Sequence, residues 1–305
     1  MSFGFNIRKA NGANSYESGD KSLHYVGKIN LNVGTTFYPT NEDRGWRNVR
    51  HGSGLYNTYD HIQSNGARRP FFARLIDTSR SADSIFTQYG VENLVLFVKP
   101  LSGMRFGVSL SRSGSRRVLG LLLEGIVRSG VIEIFVFTGI TFSLDQVNSG
   151  YGINIFDERG DPIYSTNYLD LSIIGSGFIS CPSFSISNSS GSNSYAVTTR
   201  QTVSSTNFSL TRAYNLTPFF VSYTIFTMQL DPYLDPLELV SCLGEVRNGS
   251  LRVRSRTALI SPFPRKIDVP STNIPYTVID PVKYNAFDVP VRNLTIEDFG
   301  PTRGS

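Results

Sequence analysis

Arginine supplies the first chemistry available to this chain. The stretch from Arg105 to Arg117 (RFGVSLSRSGSRR) holds four arginines and no acid. A guanidinium is permanently charged and forks onto carboxylate, phosphate or sulfate. Arg112, Arg116 and Arg117 are therefore candidate contacts for an anionic partner such as surface polysaccharide, a lipid head group or DNA phosphate. The competing reading is a solvated hairpin tip. A second set follows Asn248-Gly249, a dipeptide that favours a tight type I′ hairpin turn. Beyond it Leu251 and Val253 alternate with Arg252, Arg254 and Arg256, so that the arginines share one face of a strand. That face either discourages unwanted strand pairing or holds an anion.

Aromatic residues offer a different chemistry. In RGWRNVRHGSGLYNTYDHIQ, the side chains of Trp46, Tyr56, Tyr59 and His61 are candidates for a platform that stacks on a sugar, with ordinary loop packing as the alternative. Catalysis has little to build on. His61 follows Asp60, and Ser53 lies between Gly52 and Gly54, but the spacing fits no nucleophilic triad and G-x-S-x-G is absent. Asp157, Glu158 and Asp161 surround Gly160 without the spacing of a calcium loop, and they read as a hairpin turn. His24, His51, His61, Cys181 and Cys242 lack zinc-ligand spacing, and buried thiols are the expectation for the two cysteines, with a bridge between them as the alternative. No phosphate-binding glycine loop is present. The expectation is a non-enzymatic protein without cofactor or metal.

The elements that must carry these groups are strands. Of 305 residues only 17% are charged, while aromatics reach 12%. Disordered chains have few aromatics and high net charge, and coiled coils need sustained heptads. A net charge of +5 with a pI near 9.2 is too diffuse to argue for nucleic acid. The most apolar stretch, Val118 to Phe142, is interrupted by Glu124, Arg128 and Glu133, so no transmembrane helix is expected. The first residues lack a signal-peptide pattern, which predicts a soluble chain that does not take the general secretory route. Alternation with period two recurs throughout. The stretch from Arg116 to Val127 suits buried strands, Ser183 to Thr206 suits a long loop or an exposed hairpin, and the proline-rich region from Ser261 suits extended chain with short strands.

An internal repeat organises these strands. At a constant offset of 148, Gly4 falls on Gly152, Asn6 on Asn154, Ile7 on Ile155, Gly12 on Gly160, Tyr16 on Tyr164, Leu23 on Leu171 and Gly27 on Gly175. Pro70-Phe71-Phe72 falls on Pro218-Phe219-Phe220 at the same offset. With a drift of two residues, Lys99 to Phe106 aligns with Val246 to Val253, and Val131 to Phe137 with Pro281 to Phe287. The expected fold is all-β, with two tandem β-sandwich-like domains related by internal duplication, at residues 1–148 and 149–305.

The repeated opening resembles a family of small bacteriophage tail proteins, whose units begin with an aromatic-Gly-apolar strand, a polar-Gly turn and a second strand bearing an aromatic. Met1-Ser2-Phe3-Gly4-Phe5-Asn6-Ile7 with Gly12 and Tyr16 resembles that opening, and Tyr151-Gly152-Ile153-Asn154-Ile155-Phe156-Asp157 with Gly160 and Tyr164-Ser165-Thr166 resembles it more closely. Tyr284-Asn285-Ala286-Phe287-Asp288 resembles the Phe-Asp strand that closes such units. The resemblance implies a virion component at the tail tip, baseplate or fibre, assembled in the host cytoplasm. Other tail proteins would be its partners, and host surface glycan a further one. A capsid decoration protein and a glycan-binding receptor-recognition module are the alternatives. A homo-oligomer is expected, with a trimer favoured because three two-unit chains would present six similar surfaces to a six-fold tube.

Overall fold

The computed structural model describes residues 6–8, 14–17, 23–33, 71–113, 116–125, 130–139, 154–156, 162–165, 169–189, 193–216, 220–224, 237–260 and 265–295. Strands dominate them, as the period-two pattern requires. The first half contributes β1 (Asn6–Arg8), β2 (Asn14–Glu17), β3 (His24–Val33), β4 (Phe71–Asp77), β5 (Leu94–Lys99), β6 (Met104–Ser113), β7 (Arg116–Gly125) and β8 (Gly130–Thr138). The second contributes β9 (Asn154–Phe156), β10 (Pro162–Ser165), β11 (Ile173–Cys181), β12 (Phe184–Asn188), β13 (Asn193–Ser204), β14 (Ala213–Leu216), β15 (Phe220–Thr224), β16 (Leu237–Arg247), β17 (Ser250–Ile260), β18 (Arg265–Val269), β19 (Thr272–Ile279) and β20 (Val291–Thr295). Two single-turn α-helices are described, α1 (Ser84–Thr87) and α2 (Val282–Asn285).

Two seven-stranded sheets carry the fold. One runs β11-β19-β14-β5-β8-β3-β20. The other runs β13-β17-β16-β6-β7-β4, with β15 paired to β16 beside that path. Between them lies a single apolar cluster to which both halves contribute, including Ile29, Phe106, Leu121, Ile134, Ile179, Tyr214, Val253 and Val278. All-β is therefore the observed class, but the two expected sandwiches are not separate. The second half's β14 pairs with β5, and its β16 pairs with β6, so each sheet runs across both halves. The physical reason is that a half alone would leave β5 and β6 as unpaired central edges, with the core between them open to water.

Read outward from the centre, the strand order is the same in both halves: β5-β8-β3 against β14-β19-β11 in one sheet, and β6-β7-β4 against β16-β17-β13 in the other. The central pairs are antiparallel. An antiparallel neighbour is reached by a half-turn about an axis perpendicular to the sheet, so one two-fold axis through both sheets relates the two arrangements. Interruptions in register recur as well. Ile7/Arg8 in β1 matches the break at Pro162/Tyr164 beside β9, Tyr25/Gly27 in β3 matches Ile173/Gly175 in β11, and Arg74/Ile76 in β4 matches Thr199/Gln201 in β13. The first two pairs of breaks lie at the offset of 148 seen in the sequence.

Three of the expected alignments are corrected by this arrangement. Val131 to Phe137 lies in β8, whose counterpart is β19, whereas α2 occupies Val282 to Asn285. Val246 to Val253 is a hairpin within one sheet, but Lys99 to Phe106 crosses from one sheet to the other. Phe71 opens the edge strand β4, whose counterpart is β13 and not the Phe220 strand β15. Short apolar alternations look alike in any strand, so local pattern cannot separate these cases. Ser183 to Thr206, expected as a long loop or an exposed hairpin, forms two strands, β12 and the long β13, but they pair with β18 and β17 instead of with each other.

The first sheet curls strongly. Laid flat, the six strands from β11 to β3 would separate the outer pair by about 24 Å, at ~4.8 Å per strand. Yet Leu171 N–H donates to Leu23 O at 2.7 Å and Tyr25 N–H donates to Leu169 O at 2.9 Å, while Ile173 already pairs with Ile279 in β19. Two residues span about 7 Å at most. The ends of β3 and β11 must therefore converge, and the concave face so formed encloses Tyr25, Phe97, Phe135, Phe137, Ile279 and Tyr284.

Candidate functional site

The sequence-selected arginines fall in two places in the second sheet, along β17 and at the β6–β7 hairpin. Asn248 and Gly249 take φ of 50° and 70°, as a type I′ turn requires, and Leu251 and Val253 are fully buried on the inner face. Arg252 lies on the opposite face in register with Glu245, which is in turn in register with Arg105. Arg105 Nε lies 3.5 Å from Glu245 Oε2, and both side chains are largely buried. This row is an alternation of charge across three neighbouring strands. Arg252 Nε has no hydrogen-bond partner among the described residues. Arg254 and Arg256 continue the strand opposite Leu243 and Ser241, and their side chains lie outside the described residues.

In the second place, Arg112 faces Arg117, and Ser113 faces Arg116, across the β6–β7 hairpin. Arg117 is committed: its guanidinium pairs with Glu92 and its backbone N–H donates to Thr78 Oγ1 at 2.9 Å. It acts as a tie between hairpin and neighbouring loop. The side chains of Arg112 and Arg116 lie outside the described residues, as do Trp46, Tyr56, Tyr59 and His61 in full.

Three polar constellations were not singled out from the sequence. In the first, Tyr284 closes the concave aromatic cluster. Its ring meets Phe137 edge-on at 5.0 Å and Tyr25 at 5.2 Å, and its hydroxyl accepts from Ser172 N–H at 2.7 Å and donates to Asp170 O at 3.1 Å. Burial pushes the phenol up from its ordinary value, the Ser172 bond opposing. Beside it, His24 Nδ1 lies 2.7 Å from Asp170 Oδ1. These contacts hold the segment before β11 against the start of β3.

The second constellation anchors β20. This strand adds to β3 in parallel, with Val291 opposite Lys28 and Leu294 opposite Leu31. Arg292 reaches from it to the fully buried Asp83 and to the carbonyl of Leu75, and Asp83 also accepts from Asp77 N–H at 2.8 Å. Burial raises the Asp83 carboxyl despite the bond from Asp77 and the charge of Arg292, and burial lowers Arg292 despite Asp83. Desolvation outweighs compensation on both partners, so the pair specifies where β20 docks more than it adds net stability.

The third is Glu133 on β8, held by Lys99 Nζ at 2.5 Å and Lys28 Nζ at 3.3 Å. Burial alone would raise its carboxyl, but hydrogen bonds and charge from Lys99, then Lys28, hold it below the ordinary range. None of the three had a sequence signature, because their members come together only when distant strands pair.

Among the described residues no group of three or more His, Cys, Asp and Glu is placed to hold a metal, and no helix is long and apolar enough to cross a membrane. The chain matches no protein-family model, no curated protein and no solved structure.

Proposed function

We propose that the chain is a non-enzymatic structural component of a bacteriophage virion, located in the distal tail, where it packs against other tail proteins and contributes to contact with the host surface. The observation that carries this reading is the repeated opening hairpin. β1–β2 and β9–β10 pair Ile7 with Tyr16 and Ile155 with Tyr164, in equivalent register and with a break at the same place. These are the opening residues on which the resemblance to phage tail proteins rests; its closing motif, Tyr284-Asn285-Ala286-Phe287-Asp288, lies in α2 and the turn after it and is not a strand. We read the two halves as products of an internal duplication, and the common strand order with its matched register breaks supports that reading. The motive for a trimer weakens, because six-fold repetition needs units arranged head to tail, and the internal axis here is two-fold.

Purified particles decorated with a labelled antibody against the chain, viewed by electron microscopy, test the placement. Label at the tail end opposite the head is expected. Label over the head would overturn it in favour of a capsid decoration protein, and absence from particles would overturn any virion role.

A further inference from the structure

We infer that the outer edge of β11 is a self-association surface, at which a second copy of this chain adds its own β11 antiparallel about a two-fold axis at Phe178. Along their main paths the two large sheets end at β4, β13, β20 and β11, and the five-residue β15 lies beside the second path with β16 as its only partner among the described strands. Exposed edges are ordinarily blunted by charge or proline, because their unpaired backbone groups template strand addition. Arg74 and Asp77 lie in β4, Arg200 in β13 and Arg292 in β20, whereas β11 (IIGSGFISC) and the short β15 (FVSYT) have neither charge nor proline, and of these two β11 is the longer, at nine residues against five. Its register break at Ile173/Gly175 lies outside the stretch from Ser176 to Ser180.

The counterpart strand β3 has its outer edge covered by β20, while among the described residues no strand pairs with the outer edge of β11. Phe178 is 71% exposed in the middle of that strand, a large apolar side chain left in water. The strand is also self-complementary. In an antiparallel pair centred on Phe178, the two phenylalanines meet, Ser176 faces Ser180 of the second copy, and Gly177 faces Ile179, small against large. Joining edge to edge about a two-fold axis is already how the two halves of the chain meet, through β5–β14 and β6–β16. The five paired residues alone fall short of the ~1,200 Å² that a stable interface buries. However, β13, the edge of the other sheet, lies beside β11 and would be brought opposite its own mate.

Sedimentation velocity of the full chain over a wide concentration range tests this. A concentration-dependent dimer is expected, and Phe178→Lys, which sets like charges opposite one another across the axis, weakens it about tenfold or more. At concentrations low enough for both proteins to be monomeric, the variant keeps the wild-type melting curve because Phe178 is exposed, which circular dichroism checks. Phe178→Cys cross-links to its mate under mild oxidation, and Ser180→Cys does so far less. A monomer at every concentration, an oligomer indifferent to Phe178→Lys, or equal cross-linking by the two cysteine variants would each overturn the inference. Tail labelling with no dimer would overturn it and leave the virion reading standing.

Discussion

The outer edge of the first half and the outer edge of the second are built on the same strand order and finished differently. On β3, Gly27 admits Phe86 and the backbone of Pro290 so closely that an added Cβ would lie 2.6 Å from the Phe86 ring and 3.1 Å from the Pro290 carbonyl oxygen. There Lys28 N–H donates to Pro290 O at 3.0 Å, and β20 continues along the edge. On β11 the equivalent Gly175 faces the side chain of Asn207, whose Nδ2 donates to Ile174 O at 2.8 Å. Between β13 and β14, from Ser205 to Arg212, no acid is present to receive a guanidinium, as Asp83 does between β4 and β5. One edge is thus closed by β20, and the other keeps an exposed aromatic. Equivalent topology does not enforce equivalent chemistry where the strands meet their surroundings.

The largest expected effect separates the two edges outright. Asp83→Ala leaves Arg292 buried without its counter-charge and costs about 3–5 kcal/mol in chemical denaturation. Amide exchange should quicken at Lys28 to Asn32 while Ser176 to Ser180 keeps its wild-type rates. Equal quickening at both would show that β20 does not depend on this pair. Tyr284→Phe leaves Ser172 N–H without its acceptor at the seam joining the two edges, for a loss of about 1–3 kcal/mol, and no loss would reduce that hydroxyl to a bystander.

Glycine substitution sharpens the contrast. Gly27→Ala must displace a packed ring and backbone, for about 1–3 kcal/mol, whereas Gly175→Ala meets a movable amide at 3.2 Å and costs less; thermal melts giving the reverse order would show that the Phe86 ring yields more readily than the Asn207 amide.

The smallest effect concerns pH. Because the Glu133 carboxyl is held below its unfolded value, its pairing contributes stability above the ordinary Glu range near ~4.3, and the contribution is lost as pH falls through the lower folded value. Glu133→Gln should cost about 1 kcal/mol or less at neutral pH and flatten the acid limb of a stability–pH profile. An unchanged acid limb would assign that limb to other carboxylates.

Much of the local fold was legible beforehand. Asn248-Gly249 announced its turn, Leu251 and Val253 announced their buried face, and the glycines and tyrosines at an offset of 148 marked positions where both halves later break register in the same way. The arginine at the head of the β7 hairpin was legible as a charge but not as a tie to Glu92, since nothing near Arg117 in sequence names that partner. Asp83 with Arg292, and Tyr284 with Ser172 and Asp170, were illegible for the same reason.

Alternation and turn chemistry determined by themselves that this chain is all-β and that a pattern occurs in it twice, because they act between residues a few positions apart. Only the tertiary structure decided that the halves share both sheets, that the first sheet curls over an aromatic cluster, and that β20 closes one edge while β11 remains uncovered among the described residues. The same alternating strands satisfy two separate sandwiches or one continuous sandwich equally well. The choice between them falls to which edges bury apolar surface and satisfy backbone groups together, a balance set by contacts between residues far apart in the chain.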